Sequence, residues 1–167
     1  MHADSDYKIN MMTNKKKQKG SLFEHDLVVM LNEKIKNSVW KRIPGSGSMG
    51  TTLGEAELTA DVVGKIDAFP KKIKGECKSG YNSSTNKETK SFRIMKEWLD
   101  KVKEESKANY SFPILFGKFD NVRDSGVKKI AVLDLDEFIY LINYITDLKE
   151  ELDDVYEELQ KRKSKVE

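Results

Sequence analysis

Residues 58–80 read LTADVVGKIDAFPKKIKGECKSG. Two strand-like runs, LTADVV and KIKGECK, flank the connector GKIDAFPK. Pro70 has no N–H to give a ladder, so no central strand runs through that point. The stretch therefore predicts two strands joined by a turn. In KIKGECK the strand period puts Glu76 and Lys78 on one face and Cys77 on the other. Asp61, in the first strand, can then face Glu76 across the sheet. Two facing carboxylates repel unless positive charge lies between them. A hard divalent cation such as Mg²⁺ supplies that charge through oxygen ligands. Lys78 adds a point charge beside the same place, where it can orient or deprotonate a water or steady developing charge. Read alone, the triplet is also what a hairpin with solvent-facing charges would carry. Cys77 reads as a small buried side chain rather than a nucleophile.

Working outward, PGSGSMGTTLGE (44–55) is a loop and SVWKRI (38–43) a short strand. Upstream, Leu22, Phe23, Leu27, Met30, Leu31 and Ile35 fall near helical spacing and predict a helix over 21–36. Ser21 followed by Glu24 fits a capping box, which would give Glu24 a purely structural role. Residues 1–18 show no period and read as a flexible basic arm. Downstream, SFRIMKEWLDKVKEES (91–106) predicts a second helix. SFPILFGKF (111–119) and KKIAVLDL (128–135) predict two more strands. From Asp134 the chain reads as one long helix. Leu141, Ile145, Leu148, Leu152, Val155 and Leu159 make a short a/d seam along it. The order of elements predicts a mixed α/β domain around one central sheet. It divides into an arm at 1–18, a core at 19–135 and an amphipathic helix at 136–167 that is a candidate dimerisation element.

At 167 residues the chain suits one domain with a proper core. Its net charge of +2 hides an asymmetry. Residues 134–167 carry 11 acids and 5 bases, whereas residues 1–133 carry 17 acids and 25 bases. A basic body with an acidic helical appendage suits a nucleic-acid partner. One cysteine excludes an intramolecular disulfide and a cysteine-based zinc site. No apolar run approaches membrane-span length, and the lysines near the N-terminus lack the apolar core of a secretory signal. The expectation is a soluble, cytoplasmic protein.

Taken in order, KGSLFEHDLVVML, KRIPGSGS, ADVVG, GECK, a helix and FPILFGKF resemble the PD-(D/E)XK nuclease superfamily. Within it they are most similar to the archaeal-type Holliday junction resolvases and their phage and viral relatives. The resemblance covers residues 19–135. It implies a restriction-endonuclease-like core, a central mixed sheet flanked by helices, and a homodimer. It also implies Mg²⁺, or Mn²⁺ as a substitute, and paired nicks in four-way DNA junctions. By the same resemblance Glu24, Asp61 and Glu76 are the acidic metal-site residues and Lys78 the catalytic lysine. Arg42, Ser46 and Ser48 approach the scissile phosphate. Lys15, Lys16, Lys17 and Lys19 are candidate DNA contacts. Two features depart from the pattern. The spacer from Asp61 to Glu76 is long, with Asp67 as a rival carboxylate, and the helix after Asp134 is no part of the recognised core. Other readings stay open: a nicking, flap-cutting or restriction-like nuclease, a non-catalytic DNA-binding module, or a scaffold acting through its helical tail.

Overall fold

The structure, a computed structural model, describes residues 3–45, 59–80, 91–120, 122 and 126–164, with residues 3–17 as backbone alone. Two compact units share the chain, residues 1–132 and 133–167.

The first unit is built on five strands in the spatial order β1-β2-β3-β4-β5. They are β1 (Ser38–Arg42), β2 (Val62–Ile66), β3 (Ile73–Ser79), β4 (Phe112–Lys118) and β5 (Lys129–Val132). All pairs are antiparallel except β3–β4. That parallel pair needs a long crossover, which carries helix α2 (Lys96–Lys107). β4 lies inside the sheet, between β3 and β5, and is buried along most of its length, so its sequence, FPILFGK, is a largely apolar run rather than an alternation.

Helix α1 (Ala3–Lys34) places Phe23, Leu27 and Leu31 four residues apart, all buried. Its C-terminal part is fastened to the edge strand by one side chain. Asn32 donates to the carbonyl of Trp40 at 3.0 Å and accepts from its N–H at 2.8 Å. The Trp40 ring packs edge-on to Phe116, with centroids 6.3 Å apart, and covers Gly64. A Cβ on Gly75 would stand 2.6 Å from both Phe116 and Val62. Glycine at 75 thus lets β2, β3 and β4 close immediately beside Glu76.

Three expectations change. Residues 3–18 continue α1 rather than forming an arm. This segment has no proline and is rich in lysine and methionine, so it favours helix without the apolar period that signals a buried face. Ser21 is consequently mid-helix, and the capping-box explanation of Glu24 falls away. β2 runs three residues past its expected end at Val63, because Gly64, Lys65 and Ile66 belong to the strand and not to the turn. The second helix starts at Lys96, since Phe92 is used in an extended segment that packs on Trp98 and Phe119.

The second unit contains helix α3 (Leu135–Lys163), capped by Asp134, whose carboxylate accepts the N–H of Glu137 at 3.0 Å. It has no buried residue. Ile145, Leu148, Leu152, Val155 and Leu159 of the a/d seam are all exposed.

Candidate active site

Glu76 is fourth in β3, where the strand period turns it to the same face as Lys74 and Lys78. It is 2% exposed. A carboxylate taken out of water requires partners, and it has two. Lys78 reaches it from the same strand. Lys101 of α2 donates to both its oxygens, at 3.2 Å to Oε1 and 3.0 Å to Oε2. Trp98, one turn before Lys101, holds its ring 5.5 Å from the Lys78 ammonium, within cation–π range.

Asp61 stands immediately before β2, whose first residue, Val62, pairs with Gly75. Its Oδ2 accepts the N–H of Cys77 at 2.7 Å. That bond ties Asp61 to β3 directly after Glu76, so both carboxylates sit at one point of the β2–β3 pair. Asp67 lies at the opposite end of the hairpin, exposed in the turn, with its N–H on the carbonyl of Asn37 at 2.9 Å. Glu24 approaches from α1 and accepts from Nε of Arg42, at the end of β1, at 2.6 Å.

These carboxylates act on each other. Burial lifts Glu24 above the usual carboxylate range, the Arg42 bond pulls it back, and Asp61 and Glu76 push it up again. Glu105, one turn after Lys101, is also raised. Burial is the main cause, opposed by Lys101 and reinforced by Glu76. For Lys101 burial works downward, but the charge of Glu76, the bond to it, Glu105 and Asp61 hold the ammonium above its ordinary value. Burial pushes the Cys77 thiol far up, helped by Asp61, Glu24 and Glu76. It stays protonated, on the opposite face from Glu76, which removes it as a nucleophile.

Of the residues expected from sequence, Glu24, Arg42, Asp61, Glu76 and Lys78 come together. Lys19 is elsewhere and holds Asp120 at 2.5 Å. Ser46 and Ser48 lie outside the described residues, as do the side chains of Lys15, Lys16 and Lys17. Sequence reading missed Lys101 and Glu105. The available signal was helical spacing: both lie three or four residues from Trp98 or Val102, on the face that α2 turns to the sheet.

Among the described residues no three His, Cys, Asp or Glu groups lie close enough to hold a metal between them. The donor set is the pair Asp61 and Glu76, with Glu24 held on Arg42. Mg²⁺ commonly takes one or two protein carboxylates and fills its shell with water and substrate phosphate. The pair fits that ion, in an open site rather than a cage.

Residues 15–164 match the family described as "Phage putative PDDEXK endonuclease". The chain belongs to this family. No curated protein matches it. In this PD-(D/E)XK chain Asp61 and Glu76-Cys77-Lys78 have the residue types of the named letters. The buried Ala60 stands where the name has proline. The match reaches residue 164, so α3 belongs to this family's sequence, although the motif resemblance stopped near Leu135. No helix among the described residues is long and apolar enough to cross a membrane.

Proposed function

We propose that this PD-(D/E)XK protein is a Mg²⁺-dependent DNA endonuclease that resolves four-way junctions by paired nicks. The observation that carries the metal-dependent chemistry is the meeting of Asp61 and Glu76 beside Lys78, in a chain of an endonuclease family. Asp61 and Glu76 would hold the ion. When bound, it supplies Lewis acidity toward water and toward a phosphoryl oxygen. Lys78 is within reach of the same oxygens as Glu76 and can orient the attacking water or offset charge on the phosphate. Arg42 keeps Glu24 at the edge of the pair and adds a guanidinium suited to a phosphate. Lys101, bonded to both oxygens of Glu76, holds that carboxylate in place.

The junction reading rests on the resemblance given above. A two-fold junction calls for two active sites in a symmetric pair, and the exposed apolar seam of α3 supports a second copy of the chain as partner. Removal of residues 141–167 should then leave monomers in sedimentation equilibrium. A dimer that persists would take the helix out of the assembly.

The test is cleavage of a labelled immobile four-way junction, a flap and a linear duplex, each with Mg²⁺ or EDTA, beside Glu76→Ala. Paired nicks on the junction alone, lost with EDTA and in the variant, are expected. Cutting of flap or duplex would keep the nuclease and remove the resolvase. Binding without cutting under any condition would leave only a DNA-binding module.

A further inference from the structure

On the sheet face that carries Glu76, α2 covers β3 but leaves part of β1 and β2 open. The open part is a groove of about 380 Å³. Its floor is apolar: Val39, Ile43 and Val63, with Val39 59% exposed. Lys41, Lys65 and Lys72 line it together with Lys74, and no carboxylate does so among the described residues. An exposed valine ringed by ammonium groups is a poor seat for a basic segment. It suits a ligand that alternates anionic and apolar parts.

The groove borders the active site along β2 and β3. Lys74 precedes Glu76 by two residues on the same face of β3. It is 1% exposed, and its ammonium bonds Thr59 Oγ1 at 3.2 Å and the Glu105 carbonyl at 3.3 Å. It forms the wall between the two. Ile43, at the other rim, gives its N–H to the carbonyl of Asp61 at 2.9 Å. The groove residues Val63, Lys74 and Ile43 are thus next to Asp61 and Glu76 in the sheet.

The register sets the spacing. Val39 pairs with Lys65 and Lys41 with Val63, so Lys41 and Lys65 are diagonal neighbours, about 7–8 Å apart at the backbone. Along a duplex axis that covers two phosphates of one strand, at roughly 3.4 Å each. No aromatic side chain lines the groove among the described residues, so it offers no platform on which unpaired bases would stack.

We propose that this groove binds the sugar–phosphate backbone of a duplex arm of the substrate, next to the bond that is cut. Phosphates lie on Lys41 and Lys65, and deoxyribose lies against Val39 and Val63. The proposal rests on the nuclease reading and extends it. It assigns affinity without sequence preference to a surface outside the carboxylate site.

The experiment is fluorescence anisotropy of a labelled linear duplex in EDTA, across a salt series, with the full chain and with Lys41→Ala/Lys65→Ala. Losing two phosphate contacts should reduce the slope of log K against log salt by about 1.8 and weaken binding about sixtyfold near 0.1 M salt. Lys41→Gln/Lys65→Gln retains the aliphatic stems and should show the same loss. Lys149→Ala/Lys161→Ala, on α3, removes two charges elsewhere and should leave the slope unchanged. An unaltered slope in both groove variants, with wild type still binding duplex and cutting DNA in Mg²⁺, would overturn the groove and spare the nuclease. A loss confined to a single-stranded probe would also overturn it. Wild type that neither binds nor cuts DNA would overturn both readings.

Discussion

Replacing Lys101 by methionine tests what its ion pair with Glu76 contributes. Lys101 donates to both Glu76 oxygens, and Lys78 is the other ammonium on that carboxylate. Hydrogen bonds to charged groups are worth roughly 1.5–3 kcal/mol when buried. Lys101 is 43% exposed, and solvent screening brings the loss to about 1–2 kcal/mol. For a protein of this size that is a fall of about 3–6 °C in Tm. Methionine keeps the stem's packing, so the loss reports charge rather than volume. The expected result in EDTA is this fall, read by circular dichroism. In Mg²⁺ part of it should return, because a cation held by Asp61 and Glu76 takes over the missing charge. If the variant binds Mg²⁺ tenfold more tightly, the rise in Tm on adding saturating Mg²⁺ exceeds that of wild type by about 1.4 kcal/mol in equivalent stability. Equal rises in the two proteins would refute the argument that Lys101 and a divalent cation compete for Glu76. An unchanged Tm in EDTA would refute the bond's contribution itself.

Three other outcomes follow from the same geometry. Lys78→Ala should lower the cleavage rate about 10²–10⁴-fold in a single-turnover assay, the usual range for a positioned proton-transfer group; a change in DNA affinity alone would reassign Lys78 to binding. Glu105 is raised in the folded state, so its stabilising contribution is full below the ordinary value of 4.5 and is lost as pH rises through the folded value. Glu105→Gln should therefore gain Tm relative to wild type progressively above pH 4.5, and parallel curves would contradict this. Gly75→Ala forces a Cβ against Phe116 and Val62. It should destabilise by about 1–3 kcal/mol in urea unfolding, whereas a neutral substitution would mean that β2 and β4 can separate there.

Much of the fold was legible because its signals are local. Four of the five strands were read in place, since β-branched and aromatic runs between turn residues mark them without tertiary context. The exceptions have physical causes. Gly64 looked like a turn residue, but it is glycine because the Trp40 ring lies on it. The first half of α1 was invisible because periodicity reports a buried face, and helix propensity alone leaves no period. Asp61 could be preferred to Asp67 from its context, and in the structure its carboxylate accepts the N–H of Cys77, next to Glu76. Lys101 and Glu105 could not be joined to Glu76, because 25 residues separate Lys101 from it and only the crossover brings them together.

That crossover also explains why the site lies where it does. A parallel β3–β4 pair obliges the chain to return along one face of the sheet. In this protein α2 makes the return and settles over β3. The step that completes the sheet thus buries Glu76 and delivers Lys101 to it. Stability does not account for a carboxylate at that position. A buried ion pair is commonly matched or exceeded in stability by well-packed apolar residues of similar volume, and the buried Leu115 lies beside position 76 on β4, where it could pack one. Cys77 shows that the same strand does accommodate a neutral side chain one residue later. What an apolar residue at 76 could not do is face Asp61, carry two ammonium groups and exchange them for a cation. The burial of Glu76 under removable lysines is therefore the feature best explained by chemistry. It is also why the lysine variants, more than substitution of the carboxylate itself, separate a working site from a structural ion pair.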